Sequence, residues 1–285
     1  MTFWQALVLG LLQGATELFP VSSLGHSVLL PTLLHWSYRQ SDPTFVPFLV
    51  LLHLGTAGAL LIVYFRDWLR IGAGFVKAAL RGRLETPDER LAMLLVAGTI
   101  PGGLVGFLLE KPIKVLFATP LVAAIFLVLN GIMLLGAELL RRRDERRRGQ
   151  DEDDYGAAQQ LDFRAAIIVG TAQALALLPG ISRSGVTIAG GLLAGLRHQE
   201  SARFSFLLAT PIIGAAGVLE LPQLLAGDVP IAEYLLAGLL AGLAAYVSAR
   251  FLIRYFRSGR LDPYGWYCIA VGAAALVLVR FGVGA

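Results

Sequence analysis

The sequence predicts an all-α polytopic membrane protein with six transmembrane helices and two re-entrant helical hairpins in an inverted-topology repeat. Three observations predict this fold: the composition, six long apolar segments, and two similar polar motifs that are each interrupted by proline. Of the 285 residues, 56% are hydrophobic and 15% are charged, and the mean hydropathy is +0.68. This composition excludes a soluble domain with a polar surface.

Six segments are long and apolar enough to cross a membrane as helices. A helix rises about 1.5 Å per residue, so about 20 apolar residues cross a hydrocarbon core of about 30 Å. Because such segments recur along the whole sequence, we predict a single membrane domain over residues 1–285. The six segments are residues 45–65, 91–110, 119–140, 204–221, 231–253 and 264–284.

Two further apolar regions are broken near their middle. Pro20 interrupts residues 3–36, and Pro179-Gly180 interrupts residues 163–197. The arms on either side are short for spanning a membrane. Each region is therefore predicted to form a re-entrant hairpin whose tip lies within the membrane, surrounded by protein or by a water-filled cavity.

Basic residues predict the orientation of the chain. They concentrate in residues 66–90, 141–148 and 250–260, and loops rich in Lys and Arg favour the cytoplasmic side. All three groups fall on one side only if residues 163–197 form a hairpin. These basic groups also explain the pI of about 9.4 without nucleic acid, which we exclude as a partner.

The same orientation makes the two hairpins enter the membrane from opposite faces. Residues 1–140 and 160–285 then form two inverted halves, joined by a charged cytoplasmic loop over residues 141–162. We expect this loop to be solvated or disordered. In folds of this kind, the broken helices meet near the membrane midplane and form the functional site there.

The first hairpin carries a pair of oxygen-bearing side chains before its break. Gln13 and Glu17 are four residues apart, so on a helix they share one face. A carboxylate and an amide carbonyl, completed by water and phosphate oxygens, suit Mg2+. The alternative is a structural pair that hydrogen-bonds between helices.

Hydroxyl groups follow each break. After Pro20, Ser22 or Ser23 is a natural N-cap, and the exposed N–H groups of a helix N-terminus bind anions. In the second hairpin, Ser182 and Ser184 flank Arg183, whose guanidinium adds a bidentate fork for phosphate. The position of Arg183 well inside its hairpin argues against a side chain that reaches the membrane surface.

A serine, a histidine and an arginine in apolar surroundings indicate chemistry beyond anion binding. His26 follows Ser23 by three residues, so the two can lie on one helical face. They are candidates for nucleophile and proton carrier, with Arg183 stabilising charge. We interpret His53 as a packed or hydrogen-bonded residue, and His198 as interfacial.

With these motifs, the chain closely resembles, over nearly its whole length, the bacterial undecaprenyl-diphosphate phosphatases, also called the bacitracin-resistance family. Two departures from the family patterns are visible: Gln13 stands where many members have Glu, which weakens it as a metal ligand, and Leu18-Phe19 reverses the usual order. The motifs that carry the resemblance are Gln13-x3-Glu17, Pro20-x-Ser22-Ser23-x-Gly25-His26 and Pro179-Gly180-x-Ser182-Arg183-Ser184-x-x-Thr187.

The resemblance implies hydrolysis of undecaprenyl diphosphate to undecaprenyl phosphate. This reaction returns the lipid carrier to peptidoglycan synthesis and confers bacitracin resistance. The resemblance also implies a divalent cation, Mg2+ or Ca2+, and a site in the bacterial inner membrane that faces the periplasm. The expected partners are the polyprenyl diphosphate and membrane lipids, and a homodimer is left open.

Together, motif and resemblance predict a role for each site residue. Glu17, with Gln13, is predicted to hold the metal, Ser23 to attack the phosphate, and His26 to move the proton. Attack by water, with Ser23 only a phosphate ligand, stays open as an alternative. The rival function is a transporter or flippase of a polyprenyl phosphate lipid, because inverted repeats with broken helices also build carriers. The predicted phosphate-binding residues are Ser22, Ser182, Arg183, Ser184 and Thr187.

Overall fold

The computed structural model of the chain consists of helices. It describes residues 1–36, 38, 42, 44–116, 119–149, 151–226 and 231–281, with only the backbone described for 110–116 and 219–226. Within these residues, the one β pairing is an isolated bridge between Gly156 and Leu196.

Six helices in the described part of the chain are long and apolar enough to span a membrane, which confirms the predicted polytopic class. Large apolar side chains cover their outer surfaces, and Leu108, Val218 and Leu239 are each more than 70% exposed. Such exposure is expected where lipid replaces water. The predicted end of the last span, at residue 284, lies outside the described residues. The spans are Phe45–Val63 (α3), Pro87–Leu109 of α5, Pro120–Arg148 (α6), His198–Val218 of α9, Ile231–Tyr255 (α10) and Asp262–Arg280 (α11).

Both predicted breaks are present. The first region forms two short helices, Phe3–Thr16 (α1) and Ser23–Leu33 (α2), and the second forms Phe163–Ala172 (α7) and Arg183–Leu193 (α8). A 3-10 segment, Gln173–Leu177, precedes the second break. The two helices of each pair pack against each other. This arrangement is compatible with the predicted re-entrant hairpins, while their entry from opposite faces stays a prediction.

The two halves make corresponding contacts. Helix α1 packs on α10, and its counterpart α7 packs on α5. A Cβ atom on Gly10 would overlap the backbone carbonyl of Ala237, and one on Gly170 would overlap that of Gly98. Close helix approach requires small residues at such crossings. This requirement explains why glycine stands three residues before both Gln13 and Gln173.

The structure corrects the predicted charged loop over residues 141–162. Helix α6 continues to Arg148, and Arg141 is buried. Its guanidinium pairs with Glu145 (3.1 Å) and Glu152 (3.3 Å). The Arg141–Glu145 pair, four residues apart, stabilises α6. The contact with Glu152 holds the segment that follows α6 against this helix. The first part of this segment is therefore neither a loop nor fully solvated.

His198 holds the acidic end of the same segment. Its ring lies 3.0 Å from both Glu152 Oε2 and Glu138 Oε2. The side chain is buried within the protein, and the residue is at the first position of the α9 span, so its predicted interfacial position stays a prediction. Burial raises the pKa of Glu152, but the hydrogen bonds and charge of His198, together with Arg141, outweigh burial and hold that pKa below its usual value.

The basic region over residues 66–90 also contains a helix that was not predicted. Helix α4, Phe65–Arg81, follows α3 directly and ends at Gly82, which has a left-handed φ of +66°. It packs against α5, where a Cβ atom on Gly74 would lie 2.9 Å from the Asp88 carbonyl carbon. Its frequent basic residues concealed a helical pattern of apolar positions.

Candidate active site

The two helices that follow the breaks begin at the predicted serine-rich motifs. Ser22 is the N-cap of α2, and its Oγ accepts a hydrogen bond from the Gly25 N–H (3.2 Å). Ser182 caps α8 in the same way, accepting from the Gly185 N–H (3.1 Å). Such caps leave other N–H groups of the first turn available to an anion.

Asn130 of α6 connects the two tips. Its amide Nδ2 donates to the Pro20 carbonyl (2.9 Å), and its Oδ1 accepts from the Ser182 N–H (2.9 Å). The Ser184 hydroxyl adds a bond to the Phe19 carbonyl (3.0 Å). Asn130 is fully buried, so leaving either amide group unpaired would be costly. The two sequence motifs therefore meet in one place, as the repeat predicted.

Backbone approach at the tips explains the glycine of the second motif. Gly180 has a φ of +104°, a conformation that side chains disfavour. Its Cα would lie 2.9 Å from a Cβ atom on Gly25, and a Cβ of its own would overlap the Ala123 carbonyl oxygen. A larger residue at either position would separate the tips.

Glu17 lies at the centre of the polar cluster. Its Oε2 accepts hydrogen bonds from the Ser23 hydroxyl (2.5 Å) and from Gln13 Nε2 (2.7 Å). The same oxygen is 3.2 Å from His53 Nε2, and Oε1 forms an ion pair with Arg183. The carboxylate is buried, so these partners take the place of water. The cluster joins Glu17 to a hydroxyl that it can deprotonate and a cation that can bind phosphate.

His53 is the site residue that sequence reasoning missed. Its Nδ1 lies 2.7 Å from the Leu49 carbonyl, which can only accept, so Nδ1 carries hydrogen. The other ring nitrogen, Nε2, faces the Glu17 carboxylate at 3.2 Å, so a protonated His53 would form an ion pair with it. The available signal was predicted depth, because His53 is near the middle of the α3 span and the sequence predicts that the two hairpin tips also lie near the midplane.

The structure does not bring His26 into the cluster around Glu17. One ring nitrogen is 2.7 Å from the Ser22 carbonyl, and the other is 2.9 Å from the Tyr267 hydroxyl of α11. The three-residue spacing from Ser23 is correct for one helical face, but the ring turns toward α11. In this position, His26 supports the N-cap turn of α2.

The predicted phosphate-binding residues divide into two groups. Ser22, Ser182 and Arg183 line a cavity of about 340 Å³ at the junction of the tips. Ser184 donates to a backbone carbonyl, and Thr187 lies 2.5 Å from the Ser205 hydroxyl of α9. The latter two residues are absent from the cavity lining in the described part of the chain, and they join structural elements instead.

The cavity combines a polar end with a long apolar wall. Glu17, Ser23, His53 and Arg183 form the polar end. A pocket with this division suits an amphiphile that has an anionic head and a hydrocarbon tail. The apolar wall comes largely from α3, α5 and α9, and includes Leu49, Val50, Phe107, Ile212 and Ile213.

The donor set fits a hard cation that keeps water or substrate ligands. No group of three or more His, Cys, Asp or Glu side chains is arranged for a metal within the described residues. Glu17 is the sole carboxylate lining the described cavity. Gln13 Oε1 is buried and has no hydrogen-bond partner among the described atoms. The Glu17 carboxylate can serve Mg2+, which usually binds few protein ligands. Gln13 is outside the described cavity lining and directs its Nε2 toward Glu17, so its amide would have to turn for Oε1 to join the same cation.

Comparisons with known proteins agree along the chain. The family model described as Bacitracin resistance protein BacA matches residues 6–274. An undecaprenyl-diphosphatase 2 of Chromobacterium violaceum is 48% identical, over 96% of this chain and 97% of the relative. Undecaprenyl-diphosphatases of Acidiphilium cryptum (47%; 99% of this chain and 100% of the relative) and Mycolicibacterium paratuberculosis (46%; 97% of each) are similarly close. A match of this extent, on a chain whose two motifs meet in one buried site, means that the protein belongs to the BacA family.

Proposed function

We propose that this protein is a membrane phosphatase that hydrolyses undecaprenyl diphosphate to undecaprenyl phosphate and inorganic phosphate. The observation that carries the proposal is the Ser23 hydroxyl on the Glu17 carboxylate, beside Arg183, at the polar end of an apolar cavity. The names of the similar undecaprenyl-diphosphatases support the same substrate.

Binding of the diphosphate begins at Arg183. Its Nη1 is buried and has no hydrogen-bond partner among the described atoms, whereas Nη2 contacts Glu17. An incoming phosphate satisfies Nη1 and competes with Glu17 for Nη2, which frees an oxygen of the carboxylate. The N-termini of α2 and α8 add N–H donors, and the polyprenyl tail lies along the apolar wall.

Ser23 then attacks the terminal phosphorus. Glu17 takes the hydroxyl proton as the Oγ–P bond forms. The anhydride P–O bond breaks, undecaprenyl phosphate leaves with the electron pair, and Glu17 gives the proton to this leaving group and becomes a carboxylate again. Water then attacks the phosphoserine as Glu17 takes its proton, the P–Oγ bond breaks, and Glu17 returns the proton to Ser23 Oγ as inorganic phosphate is released. His53 holds the carboxylate in place and compensates its charge.

The proposal includes a divalent cation, Mg2+ or Ca2+. Glu17 and Gln13 would hold it, and when bound it would neutralise phosphate charge.

We assign the protein to the bacterial inner membrane, with the cavity open to the periplasm. The basic residues of α4 and of the end of α6 support a cytoplasmic location for those segments. In this position, the enzyme would return the lipid carrier to peptidoglycan synthesis and contribute to bacitracin resistance.

The test of the function is phosphate release in detergent, where there is no membrane across which to carry a lipid. The purified protein is incubated with undecaprenyl diphosphate and Mg2+, and inorganic phosphate is measured over time. Turnover supports the phosphatase. Binding of the lipid without phosphate release would support the rival carrier function instead.

Covalent catalysis predicts a phosphoserine at position 23. We expect substrate labelled in its terminal phosphate to label the wild-type protein in rapid-quench experiments and Ser23→Ala not to be labelled. We expect Ser23→Ala to lose about a hundredfold or more in kcat. Ser27→Ala is a matched control, because Ser27 is also buried on α2 but is outside the described cavity lining. Near-normal turnover by Ser23→Ala, with no labelled protein, would favour direct attack by water.

Gln13→Glu tests the metal proposal. A second carboxylate beside Glu17 should tighten cation binding, so we expect half-maximal activity at a Mg2+ concentration lower by about tenfold. The measurement is phosphate release across a Mg2+ titration. An unchanged curve would mean that Gln13 only hydrogen-bonds Glu17.

A further inference from the structure

Helix α4 presents an apolar stripe with no protein partner in the described structure. Ile71, Gly74 and Ala78 are buried on the opposite side of the helix, toward α5. The exposed residues follow a spacing of four, seven and four, which keeps them on one face. They are Phe65 (60% exposed), Leu69 (60%), Val76 (54%) and Leu80 (82%).

A basic stripe runs beside the apolar one. Arg66, Arg70, Lys77 and Arg81 repeat the same spacing, one position further along the chain, and all four are exposed. Arg81 pairs with Glu85 (2.8 Å), whereas the other three have no ion-pair partner among the described side chains.

The acidic residue of α4 is directed away from these stripes. Asp67 forms an ion pair with Arg203 of α9 (2.6 Å). The exposed surface of α4 is therefore apolar along one side and positively charged along the next.

The position of α4 places this surface at the membrane boundary. One residue separates the end of the α3 span at Val63 from the start of α4 at Phe65, and Gly82 leads to the start of α5 at Pro87. Both of its ends therefore adjoin spans at the same face of the membrane. Its close packing on α5 at Gly74 holds the surface in a fixed orientation.

We propose that α4 is a docking surface for anionic phospholipids of the cytoplasmic leaflet. The apolar stripe enters the outer part of the hydrocarbon, and Arg66, Arg70 and Lys77 bind lipid phosphates beside it. Charge complementarity selects this occupant, because an anionic lipid carries a net negative charge, whereas in a zwitterionic lipid the headgroup ammonium already balances the phosphate. Helices with an apolar stripe beside a basic one bind at the boundary between the lipid headgroups and the acyl chains.

The test uses the full chain in vesicles of phosphatidylglycerol and phosphatidylcholine. Spin-labelled analogues of each lipid report, by electron paramagnetic resonance, their relative association with the protein. We expect the wild type to prefer phosphatidylglycerol, and the triple variant Arg66→Gln, Arg70→Gln, Lys77→Gln to lose about fivefold or more of that preference.

A matched control separates α4 from overall charge. Arg143→Gln, Arg146→Gln, Arg147→Gln removes the same charge from an exposed part of α6, and we expect it to keep the lipid preference. Equal losses in the two triple variants, or no loss in the α4 variant, would overturn the proposal. Phosphate release in detergent verifies that each variant is folded.

A nitroxide on a cysteine at Val76 tests the apolar stripe, in a chain whose one native cysteine, Cys268, is replaced by alanine. We expect relaxation by oxygen, which concentrates in hydrocarbon, and protection from a water-soluble nickel reagent. Strong relaxation by the nickel reagent would place the stripe in water and overturn the proposal. Magnetic coupling between two nitroxides would show that a second copy of the chain covers the apolar stripe. This result would also overturn the proposal.

Discussion

Glu17→Gln is expected to abolish phosphate release while the protein stays folded. The amide has nearly the shape of the carboxylate, but it cannot take the Ser23 proton, and it removes the negative charge that faces His53 and Arg183. Loss of the base should lower kcat by about a thousandfold or more. The measurement is phosphate release from undecaprenyl diphosphate in detergent, with thermal unfolding followed in parallel.

Glu138→Gln is the matched control for this experiment. Glu138 is also fully buried, and it contacts His198 (3.0 Å) and Arg260 (3.1 Å), but it is outside the described cavity lining. We expect this variant to unfold at a lower temperature and to keep its kcat. If both variants lose kcat to the same extent, the loss comes from removing a buried carboxylate that the fold needs. Glu17 would then have no assigned role in catalysis.

Arg183→Lys is expected to retain the positive charge and lose most of the activity. A lysine ammonium is a point charge, whereas the guanidinium can bind phosphate through two nitrogens, the unpaired Nη1 and the Nη2 that phosphate takes from Glu17. At about 2–4 kcal/mol of lost transition-state stabilisation, kcat/KM should fall roughly thirtyfold to a thousandfold. Steady-state kinetics of phosphate release measure this loss.

Arg203→Lys provides the comparison, because Arg203 also forms ion pairs within the protein, with Asp67 and Glu200, away from the described cavity. We expect its kcat/KM to stay within about threefold of the wild type, as for substitutions away from a site. Near-normal turnover by Arg183→Lys would remove the bidentate contact from the proposed mechanism.

Sequence patterns were sufficient for the features that depend on local chemistry. Apolar length predicted the six spans, and Pro20 and Pro179 predicted where two further regions break. Polar residues are costly inside a membrane, so the motifs around Glu17 and Arg183 could be identified as parts of one site before their contact was seen.

Sequence patterns gave the wrong secondary structure in two segments with many charged residues, which are helices in the structure. Residues 141–148 and α4 were both interpreted as parts of loops, because Arg dominates the first and Arg or Lys recurs through the second. In the structure, Arg141 is buried against Glu145 and Glu152, and α4 directs a narrow face toward α5. Partners that lie elsewhere in the chain made these helices stable.

Composition and spacing were enough to predict the helical membrane class, the breaks in the two shorter apolar regions, and the polar residues beside each break. Which side chains meet depends on the folded arrangement of the helices: His53 faces Glu17, His26 faces Tyr267, and Asn130 connects the two breaks. Hydropathy and spacing define the face of a helix on which a residue lies. They leave undetermined the rotation and depth of that helix against its neighbours, which depend on close packing at residues distant in sequence.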